Sequence, residues 1–415
     1  MATRNWLENC GSGREIGLTQ DLWISTEVGG FGDAATGGLF PVAADALEHL
    51  GFTLTFNQAR EDSEARSGRS VATRLSGKKE VTWEGNFYIV PADPTGSNPN
   101  LPNIHKLLNG LFGSFDNTNP LEIVYSFTAC TDVSLRAYIL GMQYGQLGIG
   151  LYVDTATFSL PGDGTAQATF GGGAQDVIDS YKASLSAATV AANDVVLQTG
   201  EGKLYDVGAV VDVVNGITGA TIATGRTITA IVGDTATLSG APFSAIIGDL
   251  VTPAVLASTG MLTSDNAMVG ISGEVLIDGS ALDCSVLSAE ISVSNNFTPK
   301  NNIFGTDKIC GFNSDQRREV MVTMEIEMDS NTYELYRKSK RFESADVKLR
   351  LFPNNGDSAV GRTFTFHMPK VEFNIPAVEF PADGVVALSF EGKALSSGVQ
   401  SPNDEMTLKV GPVAG

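Results

Sequence analysis

Residues 160–174 read LPGDGTAQATFGGGA, and residues 380–394 read FPADGVVALSFEGKA. Aligned without a gap, they share Pro161/Pro381, Asp163/Asp383, Gly164/Gly384, Phe170/Phe390, Gly172/Gly392 and Ala174/Ala394. A chain that repeats a phrase this way is most economically read as one unit folded twice. The surroundings agree. Lys78-Lys79-Glu80-Val81 opens a strand, helical spacing follows from Asn103 to Phe112, and then comes the first phrase. Arg317-Arg318-Glu319-Val320 opens a strand, helical spacing follows from Asn331 to Arg341, and then comes the second. Each helix begins on an asparagine able to cap its first turn. The offset falls from 239 at the basic pairs to 220 at the phrase. The proline-rich loop at 90–103 accounts for much of that drift.

Elsewhere apolar residues alternate with polar ones, as in Phe52-Thr-Leu-Thr-Phe56, Glu290-Ile-Ser-Val293 and Val347-Lys-Leu-Arg-Leu-Phe352. A period near two marks strands with one buried face. The expected fold is mainly β: two homologous sandwich or barrel domains, each with a short helix, at 1–177 and 261–415. Residues 178–260 differ in character, with three basic residues against seven acidic ones and a high content of Val, Ala, Thr and Gly. Turns such as Asn215-Gly216 and Gly233-Asp234 separate its strand-like runs, which predicts a small all-β domain between the repeats.

The Pro-x-Asp-Gly element reads as a structural hairpin. Asp-Gly supplies positive backbone angles, Pro161 and Pro381 end the preceding strand, and Phe170 and Phe390 point into equivalent cores. Two long polar segments, Gln58 to Ser76 and Asn296 to Gln316, are unlike strands and too polar to cover a core. Loops of this length commonly bind something. They are expected to be arms that order against a neighbouring subunit through Arg60, Glu61, Asp62, Glu64, Arg66 and Arg69 in the first, and Lys300, Asp307 and Lys308 in the second; a solvated loop is the alternative.

Signals for chemistry are thin. His49, His105 and His367 are scattered and read as core or edge imidazoles, and no HExxH, GxSxG or Walker-type loop occurs. Cys10-Gly-Ser-Gly-Arg14 follows no strand and opens no helix. Leu276-Ile-Asp-Gly-Ser-Ala-Leu-Asp283 reads as a solvated turn before a Ca²⁺ loop, and Gly171 to Gly173 as a flexible or bulged strand end. Cys10, Cys130, Cys284 and Cys310 have no metal-ligand spacing, so buried free thiols are expected. Neither a cofactor nor a metal is expected. A net charge of −20, spread along the chain, argues against gripping nucleic acid. The start MATRNWLENCGSGREIG lacks the apolar core of a signal peptide and no run is long enough for a membrane anchor, so cytoplasmic synthesis is the expectation.

The polar arm followed by GKKEVTWEGNFYI, a short helix and the hairpin, seen again as QRREVMVTMEIEM, helix and hairpin, resembles the tail tube proteins of long-tailed, siphovirus-like bacteriophages. The likeness covers both halves. It implies a non-enzymatic virion protein of tube-type β-sandwich domains, made and assembled in the host bacterial cytoplasm. Rings of it stack into a hollow tail tube through which DNA passes during ejection without specific binding. With two such domains per chain, three chains would complete a pseudo-six-fold ring. The implied partners are further copies, a tape-measure protein, and terminator and baseplate or tip proteins. The middle domain departs from the pattern and would decorate the outside. A different class, a surface or capsid-decorating module that binds glycans, remains open, and a β-rich hydrolase ranks below both.

Overall fold

The computed structural model describes residues 20–27, 31–32, 40–62, 66–67, 70–71, 74–91, 101–119, 122–129, 133–141, 143–257, 267–282, 286–300, 306, 308–314, 316–353, 363–378, 386–398 and 403–411. The described part is mainly β, with two α-helices. Its first half contains β1 (Asp21–Thr26), β2 (Ala46–Leu47), β3 (Gly51–Asp62), β4 (Arg74–Tyr88), α1 (His105–Phe112), β5 (Gly113–Asp116) and β6 (Ile123–Phe127). There follow β7 (Leu135–Leu140), β8 (Tyr144–Leu151), β9 (Thr155–Pro161), β10 (Gln167–Ala174) and β11 (Asp176–Tyr181). One sheet runs β2-β1-β7-β8-β11, and β3-β4-β10-β9 run side by side in another. The alternating strands seen in sequence bury one face each: Val81, Trp83 and Phe87 on β4 lie against Ala156 and Phe158 of β9 and Phe170 of β10 in one core.

The second half contains β12 (Met268–Ile277), β13 (Ser280–Ala281), β14 (Val286–Ser294), β15 (Glu319–Glu327) and α2 (Ser330–Arg341). Then come β16 (Ala345–Pro353), β17 (Thr363–Phe373), β18 (Ala387–Ala394) and β19 (Thr407–Gly411). Here β13-β12-β16-β17 and β14-β15-β18 form the same two layers, with β19 beside β17. They are joined because β17 is long enough to pair with β16 and β19 and, through Val371 to Phe373, with β18.

The halves pair in the same register. Trp83 faces Gly172 and Gly85 faces Phe170; at offsets of 239 and 220, Val322 faces Gly392 and Met324 faces Phe390. Ala137 faces Gly148 as Val347 faces Met368, and both hairpins then slip at the same place, so that Leu135 faces Leu151 and Ala345 faces Val371. Leu22 against Ile139 becomes Val275 against Leu349. Even an ion pair recurs, as Lys79–Asp176 at 3.8 Å and Arg318–Glu405 at 3.7 Å. Since a one-residue slip would turn every side chain to the other face, a shared register means a shared pattern of burial. The offset drops to 210 between β7 and β16. The proline-rich loop contributes to that drop, but so does the β5–β6 hairpin, which has no counterpart after α2 and which alternation alone did not reveal.

The two halves share one sheet and one core. β9 pairs with β14, with Ala156 facing Val293 and Phe158 facing Ile291, so the strands run β3-β4-β10-β9-β14-β15-β18 without a break. β6 adds a second bridge by pairing with β19. The Phe158 ring lies 5.9 Å from Phe170 and 4.9 Å from Phe366 of the other half. Fully buried aromatic side chains such as this each contribute roughly 1.5–3 kcal/mol.

Neither helix is capped by its asparagine. Asn103 instead holds the incoming chain, donating to the Tyr88 carbonyl at 2.8 Å and accepting from Val90 N at 3.0 Å. α1 buries Leu107, Leu108, Leu111 and Phe112, and it ends where Gly113 turns left-handed at φ 83°. At α2 the carboxylate of Asp329 accepts from Thr332 N at 2.7 Å, the role of an N-cap.

Residues 183–254 form a module with its own core, including Leu185, Val195, Val211 and Leu238. β11 runs through Tyr181, so the first repeat extends to the module's threshold, beyond residue 177. The module's ends leave side by side, Ala183 facing Val251. The Tyr138 hydroxyl, on the far side of the first repeat's sheet, donates to the Ala254 carbonyl at 2.8 Å. Within the module the Asn215 side chain accepts from Thr218 N at 2.8 Å, and Asp234 accepts from Gly200 N and Gly202 N. These bonds fix the turns read from the sequence.

Candidate assembly surfaces

The continuous sheet buries one face and opens the other to solvent. One rung of the open face reads Thr53–Glu84–Gly171–Thr155–Ser294–Glu319 across six strands. The next reads Gly51–Asn86–Thr169–Thr157–Ser292–Met321–Lys393. The third reads Tyr88–Gln167–Ser159–Glu290–Thr323–Glu391. Glutamates and hydroxyls dominate. The cation in these rungs, Lys393, is tied to Glu319 at 2.5 Å. Such a face presents carboxylates to any polyanion and few groups able to bind phosphate.

The glycine triplet serves this sheet. Gly171 to Gly173 continue β10 in register with β4, contrary to a bulged or flexible end. A Cβ on Gly172 would lie 2.0 Å from the Tyr152 carbonyl oxygen, and one on Gly173 would lie 2.5 Å from the Tyr152 hydroxyl. Glycine is required by close approach.

The junction between halves is clamped by three polar residues. Asn295 N donates to the Asp154 carbonyl at 2.8 Å, and its side-chain amide donates to the Leu111 and Val153 carbonyls. Asp154 accepts from Phe297 N at 2.8 Å, and burial raises its pKa. Arg318 donates to Asn295 Oδ1 and the Thr128 carbonyl while lying 3.9 Å over the Phe127 ring. Nothing in the sequence marked these residues except the basic pair to which Arg318 belongs.

The first arm departs from expectation. Gln58 to Asp62, including the backbone of Arg60, Glu61 and Asp62, continues β3 and pairs with β4 as far as Arg74; beyond it Arg66–Ser67 pairs with Ser70–Val71. There the backbone ladder holds the chain, and polar residues make that ladder as well as apolar ones do. Glu64 and Arg69 lie outside the described residues. The second arm folds onto the first repeat of its own chain. Lys308 Nζ lies 2.6 Å from Asp176, and Lys78 Nζ donates to the Thr306 carbonyl at 2.5 Å. The Phe312 ring stacks on Tyr152 at 4.6 Å. Lys300 pairs backbone to backbone with Gly311 and Cys310, and Asp307 is outside the described residues.

In the repeated hairpin, Pro161 ends β9 and Phe170 is fully buried, as is Phe390 on β18. Neither Asp163 nor Gly164 has positive φ. With Ser159 facing Gln167, the connection is long enough to turn without it. It also grips the other half, Gly162 N donating to the Leu287 carbonyl at 3.0 Å and Gly270 N to Gly164. Pro381, Asp383 and Gly384 lie outside the described residues. The left-handed Asp-Gly turn sits at Asp278 (φ 51°) and Gly279 (φ 80°), between β12 and β13. The Asp278 carboxylate is held by Lys338 and Asp346 N; Asp283 is outside the described residues.

The other candidates are packed into structure. His105 Nδ1 lies 2.7 Å from the Tyr125 hydroxyl, and burial, helped by Lys106, holds its pKa down to about 4. His367 Nε2 meets Asp346 at 2.8 Å, with burial lowering its pKa against the pull of that carboxylate. Burial also lowers the pKa of His49. Cys310 is a free thiol but exposed, on the second arm; Cys10 with its glycine-rich neighbours, Cys130 and Cys284 lie outside the described residues. Among the described residues no group of His, Cys, Asp or Glu is placed to hold a metal ion, and no helix is long and apolar enough to cross a membrane. The surfaces that stand out are therefore a sheet face and its ends. Comparison with protein-family models gives no match to this chain, and comparison with curated proteins gives none either.

Proposed function

We propose that this chain is the subunit of a hollow tube, of the phage tail type that its sequence resembles, whose wall lets DNA pass without holding it. The observation that carries the reading is the single sheet running through two like-registered halves, with glutamate, threonine and serine on its open face. The halves are then two tube-type domains derived by duplication. Seven strands per chain, with residues 375–378 as an eighth position, give 24 for three chains. At about 4.8 Å apart and tilted about 40°, they close at a backbone diameter of about 48 Å, which leaves room for a duplex. A carboxylate-lined bore makes few phosphate contacts, so counterions are not released and DNA slides. The module at 183–254, hung on the opposite sheet through Tyr138 and Ala254, stays clear of the bore.

Negative-stain microscopy of the purified, concentrated protein tests this. Hollow rings or tubes of uniform width are expected. Persistent monomers that bind glycans would overturn the reading in favour of a surface or capsid-decorating module.

A further inference from the structure

The junction inside the chain is a template for one between chains. Residues 375–378 are the counterpart of the start of β9, Thr155 to Phe158, at the offset of 220 that relates β10 to β18. β3 is the counterpart of β14 at an offset of 237: Leu54 and Phe56 face Trp83 and Val81 as Ile291 and Val293 face Val322 and Val320. Inside the chain, β9 and β14 meet. Their counterparts lie at the two ends of the sheet, and neither has a strand on its outer side among the described residues.

Residues 375–378 follow the same lead-in as β9. Asn374 N donates to Glu391 O at 2.8 Å just as Asp154 N donates to Gly171 O at 2.9 Å. Ile375 is exposed, Pro376 buried, Ala377 exposed and Val378 half-buried, close to the order at Thr155, Ala156, Thr157 and Phe158. At the other end Phe56 is 47% exposed where its counterpart Val293 is 2% exposed. An unpaired edge bearing a half-exposed phenylalanine invites pairing. Pro376 gives no N–H, which leaves the free edge one donor short and less prone to indiscriminate association.

We infer that residues 375–378 of one chain pair antiparallel with β3 of a second copy in the register of the internal junction: Ile375 faces Asn57, Pro376 faces Phe56, Ala377 faces Thr55 and Val378 faces Leu54. This names the partner surface of the assembly proposed above, and rests on that reading only for closure into a ring. The contact is head-to-tail, so it propagates until the rotation closes.

A second observation meets it. In the first repeat, Asp176 receives Lys308 from the arm that follows β14. Its counterpart Glu405 has Arg318 at 3.7 Å, and its buried Oε2 accepts no hydrogen bond among the described residues. The segment equivalent to the arm that serves Asp176 follows β3, so the inferred pairing brings that segment of the next copy toward Glu405.

The test is disulfide trapping in a background with Cys310→Ser, under mild oxidation of concentrated full-length protein. Thr55→Cys with Ala377→Cys should give a ladder of covalent multimers on a non-reducing gel, at least tenfold above either single variant. The pair shifted by two residues, Thr53→Cys with Ala377→Cys, should give none. Phe56→Glu should abolish both ladder and association, with the variant's melting temperature read alongside as the control for folding. Equal ladders from the two pairs, or no 55–377 ladder, overturn the register. Tubes that form without the 55–377 link refute this junction and leave the tube standing, whereas linked chains that never close support the junction and refute the ring.

Discussion

The residues that shape this molecule most are those where close approach leaves no room. Gly172→Ala forces a methyl against the Tyr152 carbonyl, 2.0 Å from its oxygen, and should cost about 1–3 kcal/mol in urea unfolding. Gly51→Ala, with open space around it, should change stability by less than about 0.5 kcal/mol. His105 supplies a pH signature. Its folded pKa of about 4 lies below the unfolded value near 6.5, so the unfolded chain binds the extra proton first. Its contribution is complete above pH 6.5 and is lost as pH falls toward 4, by on the order of 3 kcal/mol. His105→Gln should flatten that part of the stability profile relative to the parent; an unchanged slope would show that other groups carry it.

Between elements, the weight falls on the junction of β9 with β14. Phe158→Ala removes a ring shared by both halves and should cost about 3–5 kcal/mol. Arg318→Ala strips hydrogen bonds from Asn295 and Thr128. It should cost about 2–3 kcal/mol and raise amide exchange in β14 more than in β7, which hydrogen-exchange mass spectrometry reads directly. Much of this level was legible beforehand. The repeated phrase and basic pairs mark strands that pair in like register, since a shared register demands shared alternation at Trp83/Val322 and Phe170/Phe390. The β5–β6 hairpin was missed because it belongs to one copy only. Strand pairing in the first arm carries no sequence signal, because its run of polar residues shows no apolar alternation. The clamp of Asp154, Asn295 and Arg318 was invisible because its partners are backbone carbonyls distant in sequence.

At the level of the whole molecule, the module and the sheet separate cleanly. Residues 183–254 leave and return side by side, at Ala183 and Val251. Replacing them with a short Gly-Ser linker should leave assembly intact, and particles lacking them should keep the parent's inner diameter. The central claim is that two copies of one unit within a chain, and then successive chains, continue a single sheet whose open face is acidic. A cryo-electron-microscopy map of assembled particles tests this most directly. The account predicts three chains forming six near-equivalent sheets with unbroken strand pairing at both kinds of junction, and Glu84, Glu290 and Glu391 facing the bore. A wall broken between chains, or a bore lined with lysine and arginine, would contradict it.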